Sequence, residues 1–448
     1  MTARYLAVQA LMRQEAGGYA GLVLDAELKK HPLDGRERAF ASAVFYAVLE
    51  HQVTLDYILD LFLQKKTAKL DPAVRAILRS GLAQLRYMQV PPSAAVNEAV
   101  KLTRAFKKTS AAGLVNAVLR RAAQAPADLS GEPFVSPVQR LAVLGSVSEP
   151  VAAFFAEHYP QDAEAILTRT AGQEPLALRA NLLRTDVPSL CNTLLAEGAL
   201  SAVAGPLPGC VLARLPGGPA ESPAFQKGLY HVQGQTSQLA ALALGARPGE
   251  TVADLCAAPG GKTAVLAQQM EDTGTLYSCD VSPNRVSLIR KTVSRLQLRC
   301  VTPLCSDAAK PNERLANADR ILADVPCSGL GILAKKPDIR YKTLETLPQL
   351  IELQCAILEN AARMLRPGGR LVYSTCTVNP DENQRRVEVF LAEHPDFRLC
   401  PPLPAECWPQ GMLDTGFGWL SLPNRTGLDG FFIAALEKQS AAAARPNA

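Results

Sequence analysis

The chain predicts a multidomain fold: an all-α bundle, then a small α/β subdomain, then a Rossmann-like α/β domain built on a doubly wound parallel sheet. Three observations predict it. The 448 residues exceed one typical domain. Through the first 125 residues, apolar side chains recur at helical spacing. From Thr251 onward, short β-rich runs alternate with helical stretches, the rhythm of parallel strands joined by crossover helices.

The helical part opens with Tyr5 to Glu15, Glu37 to His51 and Leu55 to Gln64. Asp71-Pro72 then supplies an N-cap and a first-turn proline. Val74, Ile77, Leu78, Leu82 and Leu85 follow on one face, with Arg75, Arg79 and Arg86 assigned to the other. Ser93 to Phe106 and Ala111 to Ala123 complete the bundle around Lys107-Lys-Thr-Ser110. Ala125 to Pro133, enriched in Pro, Ala and Gly, reads as a linker. Helices Pro150 to Tyr159 and Asp162 to Ala171, a strand Leu176 to Leu182, a helix Val187 to Glu197 and weaker strands near Val211 and Tyr230 make the middle part. The expected domains are 1–128, 129–235 and 236–438, with an Ala-rich disordered tail at 439–448.

In the third domain, Thr251 to Leu255 reads as a buried strand and Thr263 to Met270 as the helix after it. The intervening Ala-Ala-Pro-Gly-Gly turn sits at a strand's carboxyl end, where open α/β sheets bind ligands. Gly260 and Gly261 permit a tight turn and a close approach, and the amides opening the next helix favour an anion. Alone such a turn is a weak signal, with a plain tight turn as the bland reading; it matches neither a Walker loop nor Gly-x-Gly-x-x-Gly. Further strands are expected at Leu276 to Asp280, Val301 to Leu304 (followed by Asp307), Arg320 to Ala323 (ending at Asp324) and Gly369 to Ser374. A helix from Leu347 to Leu365 is stopped by Arg366-Pro-Gly-Gly, and Gly427 to Ala434 holds a last strand. Asp280, ending the second strand, stands where a carboxylate can hold the ribose hydroxyls of a nucleoside cofactor.

Composition is that of globular material, 48% apolar and 20% charged. There is no run of the roughly eighteen apolar residues that a membrane span needs. Arg4, Arg13 and Glu15 interrupt any secretory apolar segment, so a soluble, cytoplasmic protein is expected. Eleven cysteines without Cys-x-x-Cys, beside five histidines, fit neither a disulfide framework nor a zinc site. Cys191, Cys279 and Cys355 read as small core residues and Cys256 as packing beside the turn; only Cys327 and Cys376 fall at strand ends facing the crevice. The net charge of +5 is uneven, with 18 Lys and Arg against 10 Asp and Glu in residues 1–125. A basic module is the electrostatic footprint of nucleic-acid binding, although a solvated helix face gives the same count.

Three motifs in order, Asp254-Leu-Cys-Ala-Ala-Pro-Gly-Gly-Lys-Thr263, Asp324-Val-Pro-Cys-Ser-Gly329 and Ser374-Thr-Cys376, resemble the S-adenosylmethionine-dependent RNA cytosine-5 methyltransferases of the Nol/Nop/Sun group. Enzymes that methylate amino groups carry Asn/Asp-Pro-Pro-Tyr where this chain has Asp324-Val-Pro-Cys327. Arg36 to Tyr46, Ala95 to Val100 and Gly113 to Arg121 resemble the RNA-binding domain related to the antitermination factor NusB, which precedes the methyltransferase in bacterial members of the group. Asn97 and Asn116 in those segments read as interhelical contacts. The middle part resembles the group's small subdomain, related in shape to an RNA recognition motif, though it lacks the aromatic stacking signature. Gly228 to Gln238 resembles the group's Val-Gln-Asp-Glu-Ala-Ser segment, with Gly234 and Gln235 in place of the acidic pair. Asp429-Gly-Phe-Phe432 resembles its closing strand.

Carbon 5 of cytosine is a poor nucleophile, so a thiolate must first add to carbon 6. The resemblance implies Cys376 as that nucleophile, Cys327 as the cysteine assisting release, and Asp324 at the base edge. Cys327 stays open as the nucleophile, because cytosine-5 DNA enzymes carry theirs in a Pro-Cys motif; two buried thiols remain the bland reading. For S-adenosyl-L-methionine, the loop Cys256, Ala257, Ala258, Pro259, Gly260, Gly261 and Lys262 is implied at the methionine end, Asp280 at the ribose and Asp307 at the adenine, with Asp324 bordering both sites. Lys262 could instead be an unliganded helix-start charge. Lys335-Lys-Pro-Asp-Ile-Arg340 is expected to meet RNA phosphates or to lid the site. The expected substrate is 16S (small-subunit) ribosomal RNA, its cytosine unstacked. tRNA or another RNA, or a silent RNA-binding assembly factor, are the alternatives. A monomer without metal or membrane association is expected.

Overall fold

The computed structural model describes residues 2–440 apart from 19, 32, 125–128, 130, 132, 171–173 and 402–407. Most of the expected linker and nearly all of the expected tail therefore lie outside the described residues. The chain forms two compact units, residues 1–171 with 333–344, and residues 172–332 with 345–448.

The first unit is all helix. Ala3–Glu15, Gly35–Asp60, Pro72–Tyr87, Pro92–Ala105 and Ala112–Ala122 enclose a core of Leu6, Phe45, Leu49, Leu55, Ile58, Ile77, Leu82, Val96 and Leu119. Asp71 caps Pro72–Tyr87 as its sequence predicts, Oδ1 accepting from Ala73 N at 3.0 Å. Where two helices were expected on either side of His51 there is one, bent at His51 (φ −124°, ψ 19°). It stops at Asp60, whose Oδ1 accepts from both Thr67 N and Thr67 Oγ1 at 2.6 Å. Helix Ala20–Lys30 was not expected, because it buries only Ala20, Leu24 and Glu27 and so shows no apolar period.

Arg79 corrects the sequence reading. It is 6% exposed, donating from Nη2 to Asp56 Oδ2 at 2.6 Å and from Nη1 to Glu15 Oε1 at 3.1 Å, which ties three helices together. A periodic pattern separates apolar from charged residues but cannot say which charge is paired inside.

The helical unit also runs past the expected boundary at 128. Helices Pro137–Gly145, Glu149–His158 and Ala163–Leu167 belong to it, with Leu129 and Val143 in its core and Thr54 Oγ1 donating to Val143 O at 2.6 Å. So does 333–344, although its sequence lies inside 236–438. Arg340, 2% exposed, donates to the carbonyls of Gly145 (2.6 Å), Arg169 (2.9 Å), Leu167 (3.2 Å) and Leu333 (3.2 Å). The guanidinium expected to meet RNA phosphate is thus spent on backbone oxygens; Lys335 and Lys336 of the same run are exposed.

In the second unit, β1 (Leu176–Ala180), β2 (Ser201–Ala204), β3 (Cys210–Arg214) and β4 (Tyr230–Val232) form an antiparallel sheet ordered β2-β3-β1-β4, with Val187–Ala196 after β1 and Pro223–Gln226 after β3. This is the β-α-β-β-α-β order of the split-βαβ motif. The central strands β1 and β3 carry no aromatic residue.

The larger sheet contains β5 (Thr251–Asp254), β6 (Thr275–Asp280), β7 (Val301–Cys305), β8 (Ala318–Asp324) and β9 (Leu365–Thr375), parallel in the order β9-β8-β5-β6-β7. Val252, Ala253, Leu276, Ile321, Leu322, Leu371 and Val372 are fully buried, as expected for strands covered on both faces. Beyond β9 the sheet turns antiparallel. The strands β10 (Phe397–Leu399), β11 (Leu413–Asp414), β12 (Trp419–Ser421) and β13 (Phe431–Lys438) extend it, with β13 against β9. The parallel sheet the sequence predicts is therefore mixed; β10 to β12, at two or three residues each, are too short to show alternation.

Candidate active site

The loop Cys256 to Lys262 grows out of the sheet. Leu255 N donates to Leu322 O (3.0 Å) and Ala257 N to Cys279 O (2.8 Å), so the ladder continues past Asp254 before the chain turns. Gly260 closes the turn at φ +100°, its N donating to Ala257 O at 2.7 Å, and leads into helix Gly261–Gln269. Thr263, fully buried on that helix, links Asp254 Oδ2 and Ser278 Oγ, each at 2.7 Å, and so fixes the loop to two strands.

A recess of about 210 Å³ opens beside this loop, and Gln233, Asp254, Cys256, Ala257, Ala258, Pro259, Gly261, Lys262 and Asp324 are among its walls. Gly260, Asp280, Asp307, Cys327 and Cys376 are not. Asp254, a wall residue that sequence reasoning did not single out, is completely buried; burial pushes its carboxyl up to about 7, and its Oδ1 has no hydrogen-bond partner. Asp280 ends β6 at 2% exposure. Its Oδ1 accepts from Ser282 N at 3.1 Å, while Oδ2 has no hydrogen bond and the Arg285 guanidinium lies 3.4 Å away. Two buried carboxyl oxygens without hydrogen-bond partners, beside the Gly260-Gly261 turn, suit a group bearing hydroxyls and an amino group, as S-adenosylmethionine does. Asp307 lies in a turn after β7, Oδ1 accepting from Ala309 N at 3.1 Å and Oδ2 pairing with Lys310 at 3.2 Å. His231, behind the recess, is held neutral by burial, its pKa pushed down to about 4, and its Nε2 lies 3.0 Å from Gln233 Oε1.

The adjacent strand ends of β8 and β9 bring the expected catalytic residues together, with Asp324 in register with Ser374. Asp324 accepts from Ser374 Oγ at Oδ1 (2.8 Å) and from Lys262 Nζ at Oδ2 (2.6 Å). Burial alone would lower the Lys262 pKa, but the Asp324 carboxylate outweighs it and the ammonium is raised. Lys262 is therefore neither a solvated helix-start charge nor turned away from the site. The Cys327 and Cys376 sulfurs are 3.3 Å apart, both half-buried, and neither is in a disulfide. The Cys376 thiol and then burial hold the Cys327 thiol well above its ordinary value, so it stays protonated at neutral pH. Cys256 is also raised by burial. Of the cysteines expected in the core, Cys279 is fully buried and Cys191 and Cys355 are half-buried.

Behind the cysteines lies a network that sequence reasoning missed. Glu382, with no exposed surface, accepts from Ser328 N (2.8 Å), Ser328 Oγ (2.5 Å), Gln354 Nε2 (3.0 Å) and Asn379 Nδ2 (3.1 Å). Gly331 N donates to Cys376 O at 3.1 Å, and Gly430 N to Gly331 O at 2.8 Å. The available signal was the polar run Asn379-Pro-Asp-Glu-Asn383 directly after the second cysteine motif. Among the described residues, no group of three His, Cys, Asp or Glu is placed to hold a metal ion, and no helix is long and apolar enough to cross a membrane.

The sequence profile of the family described as 16S rRNA methyltransferase RsmB/F matches residues 241–437, and that of the NusB family matches residues 1–124. A Bacillus subtilis protein named "Probable ribosomal RNA small subunit methyltransferase B" is 35% identical over 449 residues, covering 97% of this chain and 98% of that one. The ribosomal RNA small subunit methyltransferase B of Vibrio cholerae is 30% identical over 407 residues, 90% of each chain. Among solved structures, that of PH0851 superposes with a TM-score of 0.80 at 26% identity, covering 98% of this chain and 99% of its own. With this coverage on top of the site's geometry, the chain belongs to the RsmB/F family and is an S-adenosylmethionine-dependent RNA methyltransferase with a NusB-family domain at its N-terminus.

Proposed function

We propose that this enzyme methylates carbon 5 of a cytosine in small-subunit (16S) ribosomal RNA through a covalent adduct on Cys376. The observation that carries the reading is the pair of thiols 3.3 Å apart just beyond β8 and β9, with the Lys262–Asp324 pair beside them. The ribosomal substrate is supported by the names of relatives that this chain matches over nearly its full length.

Cys256 to Lys262, Asp254, Asp280 and Asp307 are the residues that would hold S-adenosylmethionine, with Asp324 at the border of the base site. When bound, it supplies an electrophilic methyl group on its sulfonium. Cys376 Sγ, its proton given up to solvent, adds as the thiolate to carbon 6 and opens the carbon 5–carbon 6 double bond, which makes carbon 5 an enamine carbon able to accept that methyl. Charge develops at the ring's nitrogen 3 edge in this step. Asp324 Oδ2 and Lys262 Nζ, already sharing a hydrogen bond, hold a proton there. In release the carbon 5 proton passes to solvent water, its electron pair restores the carbon 5–carbon 6 double bond, and the carbon–sulfur pair leaves with Cys376 as a thiolate, which accepts a hydrogen bond. Cys327, a neutral thiol within hydrogen-bond reach of that sulfur, assists.

The test supplies the full-length protein with methyl-labelled S-adenosylmethionine and either deproteinised 16S ribosomal RNA or tRNA, followed by bisulfite mapping. The expected outcome is one protected cytosine in 16S RNA. Label in tRNA alone, or on a base other than cytosine, contradicts the proposal, and no label on any RNA points to a silent binding factor.

A further inference from the structure

Glu382 is a fully buried carboxylate with neutral hydrogen-bond donors, the kind of group that costs stability unless its placement serves something else. Two of its donors belong to Ser328, the residue after Cys327; a third, Asn379, follows Cys376 by three residues. The fourth, Gln354 Nε2, also donates to Pro326 O at 2.9 Å, immediately before Cys327. Ser328 Oγ lies 2.7 Å from Thr377 Oγ1, so the two cysteine segments meet above this one carboxylate. The backbone oxygen of the same residue accepts from Tyr373 OH at 2.7 Å, which anchors it to β9.

We infer that Glu382 is the positioning residue that fixes the Cys327 segment against the Cys376 segment and thereby holds the releasing thiol within reach of the nucleophile. Neither substrate nor cofactor touches it; it acts through Ser328. A glutamine in its place keeps the volume but offers one acceptor oxygen instead of two, and turns an amide toward donors. The segment bearing Cys327 then shifts while Cys376, one residue beyond β9, is kept in place by the pairing of that strand with β8 and β13. Addition to carbon 6 survives and release fails. The inference rests on the proposed roles of the two cysteines.

The test compares Glu382→Gln with Cys327→Ala and Cys376→Ala in the full-length protein. The readouts are kcat, KM for RNA, S-adenosylmethionine affinity by calorimetry, and covalent RNA adduct on denaturing gels. Glu382→Gln is expected to lose on the order of 10²-fold in kcat. Its KM and cofactor affinity should stay within about two-fold of the parent, and adduct should accumulate as in Cys327→Ala and disappear when Cys376→Ala is added. Normal kcat, or lost activity without adduct while Cys327→Ala still traps RNA, overturns the inference. If instead Cys376→Ala traps RNA, or neither cysteine variant does, the cysteine roles fall, and the role of Glu382 with them. Should Glu382→Gln not fold, Ser328→Ala removes one donor without emptying the site; unchanged kcat and no adduct in that variant also overturn the inference.

Discussion

Burial holds the Asp254 carboxyl at about 7 where an exposed aspartate sits near 3.8, and the direction of its effect on stability follows. Between those values the folded chain keeps a proton that the unfolded chain releases. The contribution is fully present below pH 3.8 and is lost as pH rises through 7. Asp254→Asn removes it, so the difference in unfolding free energy between parent and variant should shift against the parent by up to about 1.4 kcal/mol per pH unit across that window. Urea titrations of both proteins at several pH values measure this, and a pH-independent difference would contradict the assignment. Lys262 and Asp324 form a second coupled group. Either Asp324→Asn or Lys262→Met should lower kcat by about 10²-fold or more, and the double variant should be hardly worse than each alone, because the two act as a unit. Additive losses in steady-state kinetics would show that they act separately. These protonation states were beyond sequence reading. The motifs pointed to Asp324, Cys327 and Cys376, and Asp254 falls in a strand expected to be buried, but the pairing of Lys262 with Asp324 and the raised Asp254 carboxyl depend on neighbours far away in the chain.

Among elements, those with local signals were legible. The Asp71-Pro72 cap starts its helix at Pro72, and β5, β6, β8 and β9 lie within a few residues of the expected runs because their central residues are buried and largely apolar. Elements whose partners are remote were not. Helix Ala20–Lys30 has a thin buried face, β10 to β12 are stubs completed by their neighbours, and Arg79 reads as a surface charge until Asp56 and Glu15 are brought to it. Arg79→Met should destabilise the full-length protein by about 3 kcal/mol in chemical denaturation, and adding Asp56→Leu should restore part of that loss by removing the stranded acid. No loss in the single variant would mean that the pair is solvated. Gly331 and Gly430 approach so closely that a Cβ on Gly331 would lie 2.0 Å from Gly430 O. Gly331→Ala should therefore reduce methyl transfer at unchanged cofactor affinity, since Gly331 N also holds the Cys376 carbonyl. Full activity in that variant would sink the idea.

At the scale of the whole molecule, the sequence told the order of architectures correctly but not the composition of each compact unit. Residues 129–171 and 333–344 complete the helical unit, because backbone carbonyls at 145, 167 and 169 find their donors on Arg340, 171 to 195 positions away in the chain. Nothing near Arg340 in sequence announces that; the basic run around it looks like a phosphate-binding loop. The juxtaposition of Asp324, Cys327 and Cys376 was legible because their motifs are short, ordered and placed at strand ends, whereas the surrounding Glu382, Gln354 and Asn379 are scattered and polar in ways that many turns are. The most direct measurement is covalent capture: incubate Cys327→Ala and Cys376→Ala, each full length, with target RNA and S-adenosylmethionine, denature, and look for RNA-linked protein. A stable adduct with Cys327→Ala and none with Cys376→Ala is the expected result; an adduct with Cys376→Ala, or with neither variant, would contradict the covalent mechanism proposed for this site.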